Sequence, residues 1–230
     1  MAKFHFVEDY ERLIANLVET LPLEEAMSRA VGGNFEATGV IETDILRYAG
    51  LQDSMALIDL GCGSGRLAKP LGTSMKIDYL GLDVVQPLLD YARSISPPNY
   101  QFVLNEALSI PAGDSSADMV CAFSVFTHLL HAESYIYMED IRRVLKPGGR
   151  LVFSFLEFAN PNHWIVFTET VAGQKASSAP HLNTFIERDV IELWCTKLDF
   201  PLTQFVDGSE SPWNGSPLWQ AVAILQKPKA

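Results

Sequence analysis

The sequence has few cysteines and no arrangement of them that suggests disulfide bonds. Its 230 residues include three cysteines, which are far apart and odd in number: Cys62, Cys121 and Cys195. They form no CxxC pair of the kind that binds a metal ion. We therefore expect buried, unpaired cysteines, no metal site and a protein of the reducing cytoplasm, that is, a cytoplasmic localisation.

The sequence also lacks the features of a membrane protein or a nucleic-acid-binding protein. No apolar run reaches the roughly 18 residues that indicate a membrane-spanning helix, and the first residues lack the apolar core of a signal peptide. Lys and Arg number 17 against 28 Asp and Glu, which gives a net charge of −11. Because a nucleic-acid-binding surface needs clustered positive charge, we expect no nucleic acid and no membrane as partner.

The order of the predicted elements indicates an α/β fold. Residues 8–48 contain three predicted helices, and from residue 55 onward short apolar strands alternate with helices. This alternation predicts a Rossmann-like parallel sheet with helices on both faces. The last two predicted strands, 201–206 and 218–226, predict a C-terminal antiparallel hairpin.

We interpret the chain as a single domain with four parts. They are a helical prefix (1–50), a ligand-binding core (51–156), an insertion (157–184) and a C-terminal helix with the hairpin (185–230). The insertion contains Asn-Pro, Gly and Ser-Ser-Ala-Pro clusters, so we predict that it is irregular. It is longer than the usual strand-to-helix connection of about 2–6 residues, which favours a role as a substrate cap.

The most informative segment is a glycine-rich turn after the first predicted strand. Residues 56–60 form an apolar strand that contains Asp59, and three glycines follow at alternate positions: Gly61, Gly63 and Gly65. Glycine lets the backbone approach a ligand where a Cβ would collide, and a helix start directs free N–H groups into the same space. Asp83, at the end of the next predicted strand, supplies a carboxylate for ribose hydroxyls. The pattern predicts a nucleoside site.

Polar residues also follow the third and fourth predicted strands. Residues 105–107 are Asn-Glu-Ala, and residues 124–128 contain Ser124 and His128. In an open parallel sheet, ligands bind beyond the carboxyl ends of the strands. We therefore expect these segments to converge with the glycine turn on one edge.

Two families compete for the glycine pattern. A dinucleotide fingerprint, Gly-x-Gly-x-x-Gly, would need a glycine where this chain has Arg66. The spacing from Asp59 through Gly65 instead resembles the first motif of the class I S-adenosylmethionine-dependent methyltransferases. Four later segments resemble further motifs of that family, so that the resemblance covers about residues 38–156: 79–83, 102–107, 117–120 and 145–151.

The resemblance implies S-adenosylmethionine as the cofactor. The residues implied in binding it are Asp59, Gly61, Cys62, Gly63, Gly65, Asp83, Val84, Glu106, Ala107 and Ser124. It further implies that Asp83 accepts hydrogen bonds from both ribose hydroxyls and that Glu106 accepts one from the adenine amino group. The Ala107 N–H would meet an adenine ring nitrogen, and Asp59 would orient the turn or the methionine amino group.

The implied reaction is methyl transfer to a small-molecule acceptor. Such transfer needs alignment and exclusion of water, and a general base is optional. His128 is the candidate base, and His163 and His181 in the insertion either reach substrate or face solvent. Candidate apolar walls of the acceptor pocket are Phe35, Phe158, Trp164, Phe167 and Trp213.

Two alternative functions stay open at this point. One is a nicotinamide-dependent (NAD) oxidoreductase, against which Arg66 argues. The other is a catalytically silent nucleoside-binding or interaction protein on the same fold, because methyl transfer requires no obligatory catalytic side chain.

Overall fold

The fold is built on a seven-stranded sheet. In the computed structural model, which describes residues 4–178, 181–213 and 215–229, the strands in chain order are β1 (Ala56–Leu60), β2 (Asp78–Asp83), β3 (Gln101–Leu104), β4 (Ala117–Ala122), β5 (Leu145–Phe155), β6 (Leu202–Val206) and β7 (Ala221–Gln226). Their order across the sheet is β3-β2-β1-β4-β5-β7-β6. The first five positions pair in parallel, and β7 pairs antiparallel with both β5 and β6. The predicted parallel sheet with a C-terminal antiparallel hairpin is therefore confirmed.

Eight α-helices lie among the described residues. They are α1 (His5–Thr20), α2 (Leu23–Ala30), α3 (Phe35–Tyr48), α4 (Ala68–Ser74), α5 (Gln86–Ile95), α6 (His131–Val144), α7 (Pro161–Lys175) and α8 (Arg188–Lys197), and a 3₁₀ turn spans Phe126–His128. Within that same part of the chain, no helix has both the length and the apolar character that crossing a bilayer requires.

The core lies on both faces of the sheet because successive side chains of a strand point to opposite sides. On β1, Ile58 and Leu60 join a cluster with Phe126 and Phe153, whereas Leu57 joins a separate cluster with Leu71 and others. Two apolar faces explain why the parallel strands are apolar at nearly every position. Helices must cover both faces, which leaves the strand ends as the open surface.

The helical prefix packs against the start of α5. Ile14 of α1 and Met27 of α2 lie in one buried cluster with Val85 and Leu88. The three helices were predicted, although α3 begins at Phe35, earlier than the Val40 start that its apolar spacing indicates. The prefix therefore lies beside the strand ends that follow β1 and β2.

The insertion differs from its prediction. Residues 161–175 form the regular helix α7, where an irregular segment was expected. Asn160 caps this helix by accepting a hydrogen bond from the Asn162 N–H, and Pro161 occupies the first helical position. The Asn-Pro pair is thus a helix start rather than a loop. The sequence of α7 shows no helical periodicity of apolar residues, because His163 is the one buried residue of this helix. Ala179 and Pro180 of the predicted insertion lie outside the described residues, as does Asn214 of the hairpin loop.

Two element boundaries also differ from prediction. The first helix of the core, predicted over 64–72, begins at Ala68, because residues 61–67 form the turn itself. Strand β5 begins at Leu145 and runs through the Pro-Gly-Gly segment that was expected to separate helix from strand. A register shift against β4, between Ala117 and Met119, accommodates the extra residues of this segment.

Candidate functional site

A pocket of about 310 Å³ lies at the carboxyl edge of the parallel strands. This volume is at the lower end of the range of about 300–1,000 Å³ that is typical of small-molecule sites. The core segments that follow β1 to β4 contribute Asp59, Gly61, Cys62, Gly63, Asp83, Val84, Asn105, Ser124 and His128 to its lining. The strand ends therefore converge as the sequence predicts, and three residues expected there, Gly65, Glu106 and Ala107, lie outside the lining.

The glycine turn is held close to β2 by its own backbone. The N–H groups of Gly61 and Cys62 both donate to the Leu82 carbonyl, at 2.7 and 2.9 Å. Gly63 has a φ of +55°, and a Cβ added there would lie 2.5 Å from a Val31 methyl group. Its position requires glycine for both reasons.

Gly65 allows the turn to pack closely on a helix. Its φ is +87°, and an added Cβ would lie 2.9 Å from the Cα of Ala92 on α5. The missing side chain therefore lets the turn pack directly on that helix, and the contact of Gly65 with the cofactor stays a prediction.

Asp83 lines the pocket and keeps spare hydrogen-bonding capacity. Its Oδ2 accepts from the Gly63 N–H at 2.9 Å, and its Oδ1 accepts from the Val85 N–H at 3.0 Å. The Val84 N–H also interacts with this carboxylate. Because the two oxygens together can accept four hydrogen bonds, at least one acceptor position stays open for a ligand. Burial raises the pKa of this carboxyl to about 6, against the backbone N–H groups that lower it.

Asp59 lies beneath the turn and is almost fully buried. Its Oδ2 accepts from the Tyr79 hydroxyl at 2.6 Å, and its Oδ1 accepts from the Cys121 thiol at 3.4 Å. Burial raises the pKa of Asp59 to about 7, although the hydrogen bond from Tyr79 lowers it. The Asp59 carboxyl group therefore loses its proton near neutral pH.

A buried ion pair joins the prefix to the turn. Arg66 pairs with Glu42 of α3, which is 2% exposed, and the same guanidinium donates to the Val31 carbonyl. Burial raises the pKa of Glu42, and the Arg66 charge opposes that shift. The pair was not foreseen, although Arg66 in a glycine position was the signal that could have indicated a partner.

The pocket contains carboxylates without a cationic partner. Among the described residues, neither Asp59 nor Asp83 forms an ion pair, because Arg66 is engaged by Glu42. Buried anions of this kind favour a ligand that carries positive charge. An ammonium or sulfonium group fits this requirement, whereas a pyrophosphate does not.

The segment after β3 presents different residues from those expected. Asn105 is buried and lines the pocket, and its Nδ2 donates to the Ser109 carbonyl at 2.7 Å. Glu106 is exposed, and the Ala107 carbonyl accepts from the Tyr137 hydroxyl at 2.9 Å. Tyr137 also lines the pocket, so Asn105 and Tyr137 enclose this side of it, and neither is among the residues that the resemblance implies in cofactor binding.

Three aromatic rings, which we name the ring cluster, form one wall of the pocket: Tyr10, His128 and His181. The His128 and His181 ring centroids are 4.6 Å apart, and those of Tyr10 and His128 are 5.4 Å apart. The Nδ1 of His128 lies 2.8 Å from the Leu182 carbonyl. A carbonyl only accepts, so Nδ1 carries the hydrogen and Nε2 has the free lone pair.

Burial lowers the pKa of His128 to about 4, with His181 contributing in the same direction. Burial also lowers the pKa of His181. Both imidazoles are therefore neutral at pH 7, and His128 is a weak base.

The cover of the pocket comes mainly from the prefix. Phe6, Tyr10 and Leu13 of α1 line it, together with residues 29–32 at the end of α2. None of the five predicted apolar walls lies in the lining: Phe35, Phe158, Trp164, Phe167 and Trp213. Phe158, Trp164 and Phe167 instead pack on one another with ring centroids 5.0–6.2 Å apart, and the Trp213 ring lies 6.1 Å from Tyr48.

His163 does not reach the pocket. It is buried, its Nδ1 accepts from the Glu157 N–H at 3.0 Å, and its Nε2 lies 2.8 Å from the Trp219 carbonyl, to which it donates. Both ring nitrogens are therefore used to hold chain segments together. Within the described ranges, no group of three or more His, Cys, Asp or Glu residues could hold a metal ion.

The fold and the pocket define a Rossmann-like α/β protein with a pocket at the carboxyl ends of its parallel strands. The sequence pattern of a family described as "Methyltransferase domain" matches residues 58–153. The bifunctional biotin biosynthesis protein BioHC of Cellvibrio japonicus is 27% identical over 207 residues, which cover 88% of this chain and 40% of that protein. The chain spans less than half the length of the first curated relatives that it matches.

Solved structures agree with this fold. Magnesium protoporphyrin IX methyltransferase from Synechocystis PCC 6803, solved with bound S-adenosylhomocysteine, superposes with a TM-score of 0.62 at 14% identity, covering 96% of this chain and 93% of that one. The [4+2]-cyclase SpnF superposes with a TM-score of 0.61 at 19% identity, covering 84% and 82%. The match to the methyltransferase-domain pattern covers fewer than half of the residues, so class I S-adenosylmethionine-dependent methyltransferases are the proteins that this chain resembles. The cofactor that this resemblance indicates is S-adenosylmethionine.

Proposed function

We propose that the protein transfers the methyl group of S-adenosylmethionine to a small-molecule acceptor. The observation that carries the proposal is the pocket in which the glycine turn meets Asp59 and Asp83, two buried carboxylates without an ion pair. The cofactor has an ammonium and a sulfonium group, which supply the missing positive charge. The family assignment supports methyl transfer over the nicotinamide-dependent alternative.

The pocket residues suggest how the cofactor is held. Asp83 keeps acceptor capacity beyond its backbone hydrogen bonds, which suits a ribose hydroxyl. Asp59 and the glycine turn lie together at the end where the methionine group belongs. Asn105 and Tyr137 enclose the base, in place of the Glu106 side chain that the motif implies.

The bound cofactor supplies a methyl group that is already activated by its attachment to a sulfonium. The work left to the protein is to align an acceptor and to exclude water. Phe6, Tyr10 and Leu13 provide an apolar cover for that purpose. His128 presents the Nε2 lone pair to the pocket, but its low pKa makes it a poor general base at pH 7. Alignment is therefore the main contribution that we expect.

We further propose that the insertion, residues 157–184, acts as the substrate cap and covers the bound acceptor. His181 is the residue of this segment that lines the pocket, and Trp164 and Ile165 on α7 are exposed. Hydrogen exchange of α7 should slow when S-adenosylhomocysteine and acceptor are both bound. Protection that is already complete in the free protein would instead make α7 part of the permanent fold.

The chemistry of the chain favours a small acceptor in the cytoplasm. A net charge of −11 disfavours a polyanionic substrate such as nucleic acid. The three cysteines are free and buried, which suits a reducing compartment.

A binding and turnover experiment tests the proposed function. Calorimetry should detect S-adenosylmethionine and S-adenosylhomocysteine, with NAD bound at least about 100-fold more weakly because Arg66 occupies the position where the dinucleotide pattern needs a glycine. Incubation with trideuteriomethyl-labelled cofactor and a small-molecule extract should yield a labelled product, detected by mass spectrometry. Tight NAD binding without binding of the methyl donor would contradict the proposal.

A second function on the same fold is favoured by one comparison. The structural neighbour SpnF is described as a [4+2]-cyclase. A protein that binds the cofactor without consuming it would release no S-adenosylhomocysteine during turnover. The same labelling experiment therefore separates methyl transfer from a cofactor-dependent reaction without transfer, and from a silent nucleoside-binding protein.

A further inference from the structure

Gln220 reaches the pocket from a part of the chain that no motif of the sequence indicates. It immediately precedes β7, which runs antiparallel to β5 with Ala221 opposite Phe155. The start of β7 therefore lies at the carboxyl end of β5, on the edge where the other site residues converge. The Gln220 side chain lines the pocket beside Ser124.

The carboxamide of Gln220 is held in one orientation by two serines. The Oγ of Ser154, a residue with no exposed surface on β5, accepts from the Ser124 N–H at 2.7 Å. Its single hydroxyl hydrogen then needs an acceptor, which is the Gln220 Oε1 at 2.6 Å. The Ser124 hydroxyl donates to the same oxygen at 3.2 Å. Because Oε1 is fixed against the serines, Nε2 is the atom left to donate into the pocket.

The backbone on both sides of this arrangement is strained. Ser124 has a φ of +57°, and Trp219, which directly precedes Gln220, has a φ of +71°. Left-handed conformations are costly for non-glycine residues and concentrate at functional sites. The Trp219 carbonyl is fixed by the 2.8 Å hydrogen bond from His163. A buried serine and two strained residues thus fix the position of one amide.

Gln220 lies at the end of the pocket that is distant from the glycine turn and Asp83, although its neighbour Ser124 is among the residues implied in cofactor binding. The glycine turn follows β1, and β7 is three positions away across the sheet, which corresponds to about 14 Å at the usual strand spacing. Ser124, after β4, lies between the two. A ligand seated on Asp83 and the glycine turn would leave the Gln220 end for a second molecule.

We propose that Gln220 positions the methyl acceptor by donating a hydrogen bond from Nε2 to an oxygen of the acceptor beside the methylated atom. This inference rests on the proposed function and adds the substrate class. The acceptor carries a hydrogen-bond-accepting oxygen, such as a hydroxyl, carbonyl or carboxylate oxygen, next to its nucleophile. Gln220 is a positioning residue and takes no part in the transfer of protons.

The variant Gln220→Glu tests whether hydrogen-bond donation by the Gln220 Nε2 contributes to turnover. It keeps an oxygen for Ser154 and Ser124 and replaces the pocket-facing amide nitrogen by oxygen. With trideuteriomethyl-labelled cofactor and a limiting small-molecule extract, the initial rate of labelling should fall by about 10–100-fold at pH 8. The dissociation constant for S-adenosylhomocysteine should change by less than about threefold, since hydrogen bonds to the acceptor do not contribute to it.

A pH series distinguishes donation from a merely structural role. A protonated carboxyl group is a donor, so the rate of Gln220→Glu relative to wild type should recover by at least about fivefold between pH 8 and pH 5.5. Gln226→Glu, at the other end of β7, is the matched control, since the Gln226 amide donates to the Gly148 carbonyl at 2.9 Å away from the pocket. That control should show neither the loss nor the recovery.

The outcomes separate this inference from the proposed function. An unchanged labelling rate for Gln220→Glu, or a loss without recovery at low pH, overturns the role of Gln220. A cofactor affinity weakened tenfold or more by Gln220→Glu also overturns it, because the amide would then serve the cofactor. If wild type binds S-adenosylhomocysteine but labels no compound, the proposed function fails and this inference fails with it.

Discussion

The two sides of the pocket are built in different ways. The side that we propose for the cofactor consists of Asp59, the glycine turn and Asp83. Backbone groups hold the turn and Asp83, whereas the side chains of Tyr79 and Cys121 hold Asp59. The opposite side consists of the ring cluster and Gln220, whose members come from four distant segments. A site held by the backbone of the fold serves every member of a family, whereas a site made of distant side chains is free to change with the substrate.

The largest expected effect tests the cofactor side at Gly63. Gly63→Val should weaken S-adenosylmethionine binding by more than about 1,000-fold, because a β-branched side chain at φ +55° is strained and meets Val31. Calorimetry measures the loss, and circular dichroism checks the fold. Gly113→Ala is the control, since an added Cβ there meets nothing within 4 Å. Normal binding by Gly63→Val would show that the turn does not approach the ligand.

The next effect concerns Asp83. Asp83→Ala should weaken cofactor binding by about 10–100-fold, because hydrogen bonds to a charged group contribute about 1.5–3 kcal/mol each before solvation is discounted. Asp83→Asn should lie between wild type and Asp83→Ala. Asp78→Ala, which removes an exposed carboxylate at the other end of β2, should bind normally. An unaltered dissociation constant in a folded Asp83→Ala protein would remove this residue from the site.

A smaller effect follows from the raised pKa values of Asp59 and Asp83. A cationic ligand favours the ionised carboxylates, so that affinity for S-adenosylmethionine should rise by about tenfold from pH 5 to pH 7.5. Calorimetry in buffers of different ionisation enthalpy should show proton release on binding. In Asp83→Asn the dependence should become shallower. A flat pH profile in wild type would mean that both carboxylates are ionised before the ligand arrives.

The same two groups set the pH dependence of stability in the ligand-free protein. Their folded pKa values, about 6 and about 7, lie above the unfolded value of 3.8. The folded state therefore holds these protons more tightly, and that stabilisation is present below pH 3.8 and is lost as pH rises through 6–7. Thermal unfolding of the free protein should show the decline, and bound S-adenosylmethionine should reduce it.

The smallest effect tests the ring cluster. His128→Ala should lower turnover by less than about tenfold, because an imidazole with a pKa of about 4 is a weak base, whereas loss of a true general base costs about 10²–10⁴-fold. Cofactor affinity should not change. His131→Ala is the control, since that ring bonds the Phe185 carbonyl outside the pocket. A selective 100-fold loss of turnover would make His128 the base after all.

The sequence was sufficient for features that depend on local order. The parallel strands, the C-terminal hairpin and the convergence of the strand ends follow from the alternation of short elements, and all are confirmed. The assignment of cofactor contacts to particular side chains stays a prediction. Strand β3 ends at Leu104, as the sequence predicts, but Asn105 is the residue that is buried and lines the pocket, whereas Glu106 is exposed.

Features that depend on distant contacts were missed. α7 has no helical periodicity, because a buried histidine and a few aromatic contacts, rather than a continuous apolar stripe, attach it to the domain. Gln220 has no motif of its own, and its orientation depends on Ser154, 66 residues earlier. No local pattern in a sequence encodes partners at such separations.

The ion pair between Arg66 and Glu42 has a consequence for how the chain can be divided. Residues 1–50 resemble a detachable appendage, and a protein engineer seeking a minimal scaffold would start near residue 51. Removing α3 would leave the Arg66 guanidinium, now only slightly exposed, without its carboxylate. A charge left unpaired costs about 3–5 kcal/mol where it stays buried, and removing α3 would in addition uncover the core residues that pack against Ile45 and Leu46. The prefix and the core therefore form one structural unit. A chimaera that takes the prefix from a relative would need both α3 and the glycine turn from the same protein.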